Sequence, residues 1–228
     1  MGNVTIVAPF RDCEGRVEAF ADRVDGLAWE WEALRVVAVE GDSADGTRAR
    51  LEEQACWDPR WRVVRCDTGA PHYGSVVNAE RFATLATVYN AGMDAVDLGW
   101  SDYVLMLPSD IVYEADMLQR LADDLERPGA DLVAPFVFMG NVFYDIWAFS
   151  TEDGRGVPAF GRFDLGRRYG RDLVKMQTVG GTLLMRAEVL RAGCRYTAAE
   201  VDRGLCRMAR ARGFGIWADP LVVVEHRP

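Results

Sequence analysis

Apolar and polar positions fall into blocks along this chain that separate strands from helices. Residues 4–8 form a short apolar run closed by Pro9, and residues 34–39 form a second, β-branched run with one polar position. Runs with almost no polar face belong to strands covered on both sides. Residues 61–66, 103–107 and 131–135 read the same way. Between them the period changes to that of a helix. Helices are expected from residue 16 to about residue 24, over 48–55, over 78–96 and over 115–125, the last stopped by Pro128-Gly129. In the third of these, Phe82, Leu85, Ala86, Tyr89 and Met93 share one side. Strand–helix alternation of this kind predicts an α/β fold: a mostly parallel sheet with right-handed crossovers and helices on both faces.

The pattern changes after residue 135. Residues 136–149 are rich in aromatics and interrupted by Gly140-Asn141, and residues 151–170 are rich in glycine and arginine with little periodicity, which predicts a long loop. A strand over 179–185, helices over 186–192 and 200–212, and two strands over 214–217 and 221–224 complete the expectation.

Composition narrows the class. The chain has 228 residues, enough for one large domain or two tight lobes; half are hydrophobic and 27% are charged, as in an ordinary globular protein. A formal net charge of −9 argues against a broad nucleic-acid surface, although Arg162, Arg167, Arg168 and Arg171, and the arginines between 203 and 212, are two local basic clusters. Cysteines 13, 56, 66, 194 and 206 are odd in number and lack CxxC spacing, so free thiols in a reducing compartment are expected. Residues 1–9 read as entry into a strand, so no secretory leader is expected, and no apolar run reaches the ~18 residues of a membrane span. The expected location is the cytoplasm.

Two strands deliver acids to the same sheet edge. The run at 103–107 leads through Pro108 and Ser109 to Asp110, and the run at 34–39 leads to Glu40 and Asp42. Ligands of open α/β sheets sit at the carboxyl ends of their strands. Each acid either caps the next turn or meets a polar ligand. A hard cation needs more oxygen than Asp110 alone supplies, and His226, at the end of a late apolar run, is its candidate partner. Asp202 opens a helix, where it either favours the helix dipole or stands as a fixed general base. Gly180-Gly181 permits a tight turn or a close backbone approach to a ligand. Phe143, Tyr144, Trp147 and Trp217 read as core or as stacking platforms.

Taken in order, these blocks resemble the GT-A-fold glycosyltransferases, of the large family-2 type, with some similarity to fungal α-1,6-mannosyltransferases. Val4-Thr-Ile-Val-Ala-Pro-Phe10 is similar to the first nucleotide-binding strand, and Val39-Glu-Gly-Asp-Ser-Ala-Asp-Gly-Thr47 to the acidic turn after the second. Leu85-Ala-Thr-Val-Tyr-Asn90 is similar to the helix before the metal strand, and Tyr103 to Ile111 to the strand carrying an acid-any-acid motif. Val179-Gly-Gly-Thr-Leu-Leu-Met-Arg-Ala187, Asp202 to Gly213 and Trp217 to His226 are similar to the acceptor-side block, the catalytic helix and the closing strand.

The resemblance implies one GT-A domain over 1–228. Its 1–135 half would bind the nucleotide sugar and its 136–228 half would form a smaller acceptor-side region. Pro9, Phe10, Glu40 and Asp42 would border the uridine or guanosine, with Ser109, Asp110, Gly180 and Gly181 completing the donor site. Asp110 and His226 would hold Mn²⁺ or Mg²⁺, and Asp202 would deprotonate the acceptor, with Glu200 as second choice. Two positions depart from the family pattern: Pro108 replaces the first acid of the metal motif, and Tyr89 replaces the arginine expected before Asn90. The expected activity is metal-dependent transfer from a UDP- or GDP-sugar to a hydroxyl on a glycan, a protein or a hydroxymethylated phage DNA base. The DNA acceptor would need a positive rim from Arg155 to Arg171. A nucleotidyltransferase and a non-catalytic sugar-nucleotide or glycan-binding module are the rival readings. No GxGxxG supports a dinucleotide site, and Pro9 to Gly15 carries only Arg11 where a nucleotidyltransferase has a glycine-rich basic loop.

Overall fold

The computed structural model describes residues 2–74 and 76–227, with Trp31 described by its backbone. In chain order the elements are β1 (Val4–Phe10), α1 (Val17–Asp25), β2 (Leu34–Glu40), α2 (Thr47–Trp57), β3 (Trp61–Arg65), α3 (Ala79–Asp94), β4 (Tyr103–Met106), β5 (Ile111–Val112) and α4 (Met117–Leu125). The second part adds β6 (Leu132–Met139), β7 (Val142–Phe143), β8 (Ser150–Thr151), α5 (Leu165–Tyr169), β9 (Val174–Thr178), β10 (Leu183–Arg186), α6 (Ala187–Arg191), α7 (Asp202–Ala211) and β11 (Ile216–His226).

The strands join one sheet in the order β3-β2-β1-β4-β10-β6-β11-β9-β8, with β5 and β7 pairing at its margins. The expected parallel half is present: β3, β2, β1 and β4 run parallel throughout. Period-two alternation splits its side chains between two cores. Val7, Val37, Val39, Val104 and Met106 face Phe82, Ala86 and Met93 of α3. Ile6, Ala8, Val36, Ala38 and Leu105 face Phe20 and Val24 of α1, Leu51 of α2 and Leu118 and Leu121 of α4. Helix α3 begins where Asn78 accepts a hydrogen bond from the Arg81 N–H at 2.7 Å, a cap stabilising by about 1 kcal/mol.

The second half of the chain departs from the expected elements. The anticipated fifth strand does not neighbour β4. Instead β10 inserts between β4 and β6, antiparallel to both. The strand expected over 179–185 starts later, as β10 at Leu183, because the chain turns through Gly180-Gly181; the strand before that turn, β9, ends at Thr178 and was not expected. The two closing strands are one. Strand β11 is continuous; Asp219 stands opposite Pro135 and Pro220 falls within a register shift between Asp219 and Val223, where its missing N–H costs the ladder nothing. The long loop over 151–170 contains a short helix, α5, and Val157, Phe160 and Leu165 are buried in a cluster of rings with Phe136, Phe143, Phe149 and Tyr169. Apolar residues spaced irregularly through a loop carry no period, yet they pack.

That register shift also buries an acid pair. Asp124 of α4 and Asp219 of β11 are each 7% exposed and face one another. Burial, then the Asp219 charge, push the Asp124 carboxyl up to about 7. The folded state therefore retains a proton that the unfolded chain loses near its ordinary carboxylate range. Stability from this pair is greatest in acid and declines as pH rises from about 4 to about 7. Asp124→Asn is expected to flatten that decline and to melt higher than the native chain at pH 8 but not at pH 5. Parallel pH dependences for the two proteins would disprove a shared proton.

Candidate active site

The carboxyl ends of β1, β2 and β4 open onto a cavity of about 660 Å³. Pro9 and Phe10 line it from β1, Asp42 from the turn after β2, and Ser109 and Asp110 from the turn after β4. Asp42 sits at φ 60° and accepts hydrogen bonds from the Thr68 hydroxyl (2.6 Å), the Thr68 N–H (3.0 Å) and the Gly69 N–H (2.9 Å). The Thr68 hydroxyl leads these donors in holding the Asp42 carboxyl below the usual range. Glu40 is placed differently. It is fully buried, pairs with Arg48 and accepts from the Ser43 N–H, and it is not among the residues lining the cavity. Its local role is to fix the turn that presents Asp42.

Asp110 and His226 are brought together by strand pairing. Strand β5 runs antiparallel to the end of β11 with Ile111 opposite His226, and the Arg227 N–H donates to the Asp110 carbonyl at 2.8 Å. The His226 Nε2 lies 3.0 Å from the Asp110 Oδ2. Tyr144 stacks on the imidazole with ring centres 4.1 Å apart. The Asp110 Oδ1 and the His226 Nδ1 are buried without hydrogen-bond partners. Two ligand atoms ~2.1 Å from one octahedral ion at right angles stand ~3.0 Å apart, so this pair fits two adjacent corners of a divalent cation. No group of three or more acidic, histidine or cysteine side chains gathers there among the described residues. The remaining ligands would come from a bound diphosphate and water.

Across the cavity stands Asp202, the first residue of α7. The segment before it is anchored by a reciprocal pair: Asn90 donates to the Tyr196 carbonyl at 2.9 Å and accepts from the Tyr196 N–H at 3.0 Å. The chain then turns tightly through Val201, whose N–H donates to the Thr197 carbonyl at 2.8 Å and whose φ is 45°. A β-branched residue at positive φ is strained, and strain of this kind persists where surrounding contacts over-determine it. Burial pushes the Asp202 carboxyl up to about 6, against the opposing influence of the Gly181 N–H and Arg81.

Gly180 and Gly181 make this geometry possible. A Cβ on Gly180 would stand 2.4 Å from the Ala148 Cβ and 2.9 Å from the Asp202 Cβ, and one on Gly181 would stand 2.5 Å from an Asp145 carboxylate oxygen. Gly181 also has φ +67°. The close approach is thus to the protein's own acids; Gly181 lines the cavity and Gly180 lies behind it. Glu200 pairs with Arg207 and lines a separate, smaller pocket rather than this cavity.

The sequence profile of glycosyl transferase family 2 matches residues 5–192. The chain belongs to this family. Among solved structures it is similar to the mannosyltransferase PcManGT from Pyrobaculum calidifontis in complex with GDP-Man and Mn²⁺, at 15% identity and a TM-score of 0.66, covering 99% of this chain and 56% of that one. It is also similar to S. aureus TarS 1–349, at 13% identity and a TM-score of 0.63, covering 99% of this chain and 60% of that one. The complex of TarS 1–349 with UDP-GlcNAc gives 15% identity and a TM-score of 0.62, covering 99% and 59%. The chain therefore spans little more than half the length of these neighbours, and the likeness establishes a shared GT-A fold. No curated protein matches the chain by sequence.

The family 2 match ends before α7 and β11, so Asp202 and His226 enter the site through the fold. Three lining residues escaped the sequence reading. Asp145 stands between the other acids; burial, then the charges of Asp202 and Asp110, push its carboxyl up to about 8, and its Oδ2 has no partner. Its signal was a lone acid within the aromatic stretch Phe143-Tyr-Asp-Ile-Trp147. Arg81, one turn into α3, lines the cavity and donates to the Val76 carbonyl at 3.3 Å. His72 lines it too. Tyr89, at the position of the family's arginine, stacks on Tyr196 with ring centres 4.7 Å apart. Gly180→Ala is expected to destabilise this family 2 domain by about 1–3 kcal/mol through overpacking against Ala148 and Asp202, measured as a lower urea midpoint. An unchanged midpoint would show that the turn relaxes freely.

Proposed function

We propose that this domain transfers a glycosyl group from a nucleoside diphosphate sugar to an acceptor hydroxyl with inversion at the anomeric carbon. The observation that carries this reading is the placement of Asp202 on the wall of the same cavity that holds the Asp110–His226 pair. One pair suits the leaving diphosphate and its cation, and the separate carboxylate suits the incoming hydroxyl. Pro9, Phe10 and Asp42 border the donor's nucleoside, and Ser109, Asp110 and Gly181 border its diphosphate. Asp110 and His226 would hold a divalent ion such as Mn²⁺ or Mg²⁺, which supplies charge neutralisation for the departing diphosphate.

Asp202, in its ionised form, accepts the proton of the acceptor hydroxyl. The freed oxygen forms a bond to the anomeric carbon from the face opposite the diphosphate, whose bond to that carbon breaks as the nucleoside diphosphate leaves. A carboxyl near 6 is a stronger base than an ordinary exposed one and is still ionised at neutral pH. Asp145, pushed higher, stays largely protonated below about 8 and is suited to donating a hydrogen bond rather than accepting a proton. Trp147, stacked on Phe82 at 4.9 Å, offers an apolar wall for a sugar ring. A saccharide acceptor is favoured over duplex DNA, because the 155–171 stretch is partly neutralised by Arg155–Asp153 and Arg167–Asp164 ion pairs.

Two measurements test the reading. With a panel of UDP- and GDP-sugars, a matching donor in the presence of Mn²⁺ is expected to raise the thermal midpoint, and Asp110→Asn to remove the Mn²⁺-dependent part of that rise. A rise unaltered by this change would make Asp110 a structural residue. Turnover of the matching donor is expected to increase with pH through about 6 and then level, since the base must be ionised. Asp202→Asn should lose about 10²–10⁴-fold in kcat together with the pH step, while donor binding persists. Product with retained anomeric configuration would eliminate Asp202 as the base.

A further inference from the structure

The loop that buries Val157, Phe160 and Leu165 leaves Phe163 90% exposed. Phe163 does not stand alone. Met139 pairs with Val142 across the β6–β7 hairpin, Val142 bridges to Gly161, and the Arg162 N–H donates to the Asn141 carbonyl at 2.9 Å. These pairings gather Phe163, Met139 and Val142 at one margin of the sheet, with Ile146 a few residues along. Met139, Val142 and Ile146 are each about half exposed. A single exposed apolar side chain is ordinary; a group of four marks a contact surface.

The same stretch is basic. Arg162, Arg167, Arg168 and Arg171 are all exposed. Arg167 pairs with Asp164 at 2.7 Å, and Arg162 lies near Glu225, which Arg227 already pairs. Among the described residues, Arg168 and Arg171 have no carboxylate within ion-pair distance, and the Arg168 guanidinium sits over the Phe160 ring at 4.9 Å. The formal net charge of −9 does not cancel this patch, because at physiological salt charges are screened beyond ~8 Å. The combination selects the partner. A two-fold contact with a second copy would set arginine against arginine. A protruding ring beside guanidinium groups instead suits the boundary of a bilayer, where rings sit at headgroup depth and cations meet lipid phosphates.

We propose that this patch docks the protein on an anionic lipid surface, with Phe163, Met139 and Val142 entering the headgroup boundary and Arg162, Arg168 and Arg171 contacting lipid phosphates. The contact lies in the plane of the surface; no helix among the described residues is long and apolar enough to cross a membrane. Met139, Val142 and Ile146 also line the large cavity, so docking sets the mouth of that cavity at the lipid surface. The inference stands on the surface patch and does not rest on the glycosyl-transfer reading.

Co-sedimentation of the full chain with vesicles of equimolar phosphatidylglycerol and phosphatidylcholine, and with vesicles of phosphatidylcholine alone, tests the proposal. The native chain is expected to sediment with the anionic vesicles, saturably with lipid, and to be released by raised salt. Phe163→Ser, and separately Arg162→Gln/Arg171→Gln, should each weaken this partitioning by roughly tenfold or more while keeping the native thermal midpoint. Arg203→Gln/Arg210→Gln, in the other basic cluster, should bind as the native chain does. Absence of binding to anionic vesicles, or native-like binding by both patch variants, would overturn the proposal. Equal binding to phosphatidylcholine alone would remove the role of the arginines, and an equal loss in the α7 variant would reduce the effect to charge at large. Self-association that Phe163→Ser abolishes, without vesicle binding, would assign the patch to a second copy instead.

Discussion

The contact between Asp110 and His226 ties the turn after β4 to the far end of β11, and much of the cavity depends on that closure. Strand β5 is only two residues long. It holds because its partners on β11 are already fixed by the long parallel pairing with β6. The same closure seats the imidazole beneath Tyr144 and brings the stretch carrying Asp145 over the cavity. An imidazole and a carboxylate with one unpartnered atom each, held 3.0 Å apart, are the pair that the proposed function assigns to a cation. With Pro108 in place of a second acid, the protein itself offers few ligands, and on that proposal affinity for the ion would be coupled to binding of the diphosphate.

Three acids, Asp110, Asp145 and Asp202, surround one cavity with little direct compensation. Burial of carboxylates costs folding free energy, and the upward displacement of Asp145 and Asp202 expresses that cost. The strained Val201 and the crowded Gly180-Gly181 turn add to it. Such features persist where the rest of the fold over-determines them, here two apolar cores on either face of a continuous sheet. The cavity is thus a place where buried charge and backbone strain are offset by the packing of the rest of the fold.

Charge is distributed unevenly around this frame. Most arginines are matched by nearby carboxylates, as Arg60 is by Asp25 and Asp58 and Arg48 by Glu40 and Asp67. Among the described residues Arg81, which lines the cavity, has no such carboxylate partner.

The parallel half of the fold was legible in the sequence because buried strands and amphipathic helices write their periods directly into the chain. Pro9, Phe10, Asp42 and Asp110 could be placed at one sheet edge for the same reason: each follows an apolar run with a defined direction. His226 and Asp202 were marked as candidates by type and position, yet nothing local said that they share a cavity. That was decided by β10 entering between β4 and β6 and by the register of β5 on β11, both of which are long-range pairings that leave no periodic trace. Glu40 shows the opposite limit. A strand-end acid looks the same in sequence whether it faces a ligand or an arginine, and only the position of Arg48 settles which. Asp145 was hidden because an acid among aromatics has no pattern of its own; its surroundings are assembled from three distant segments.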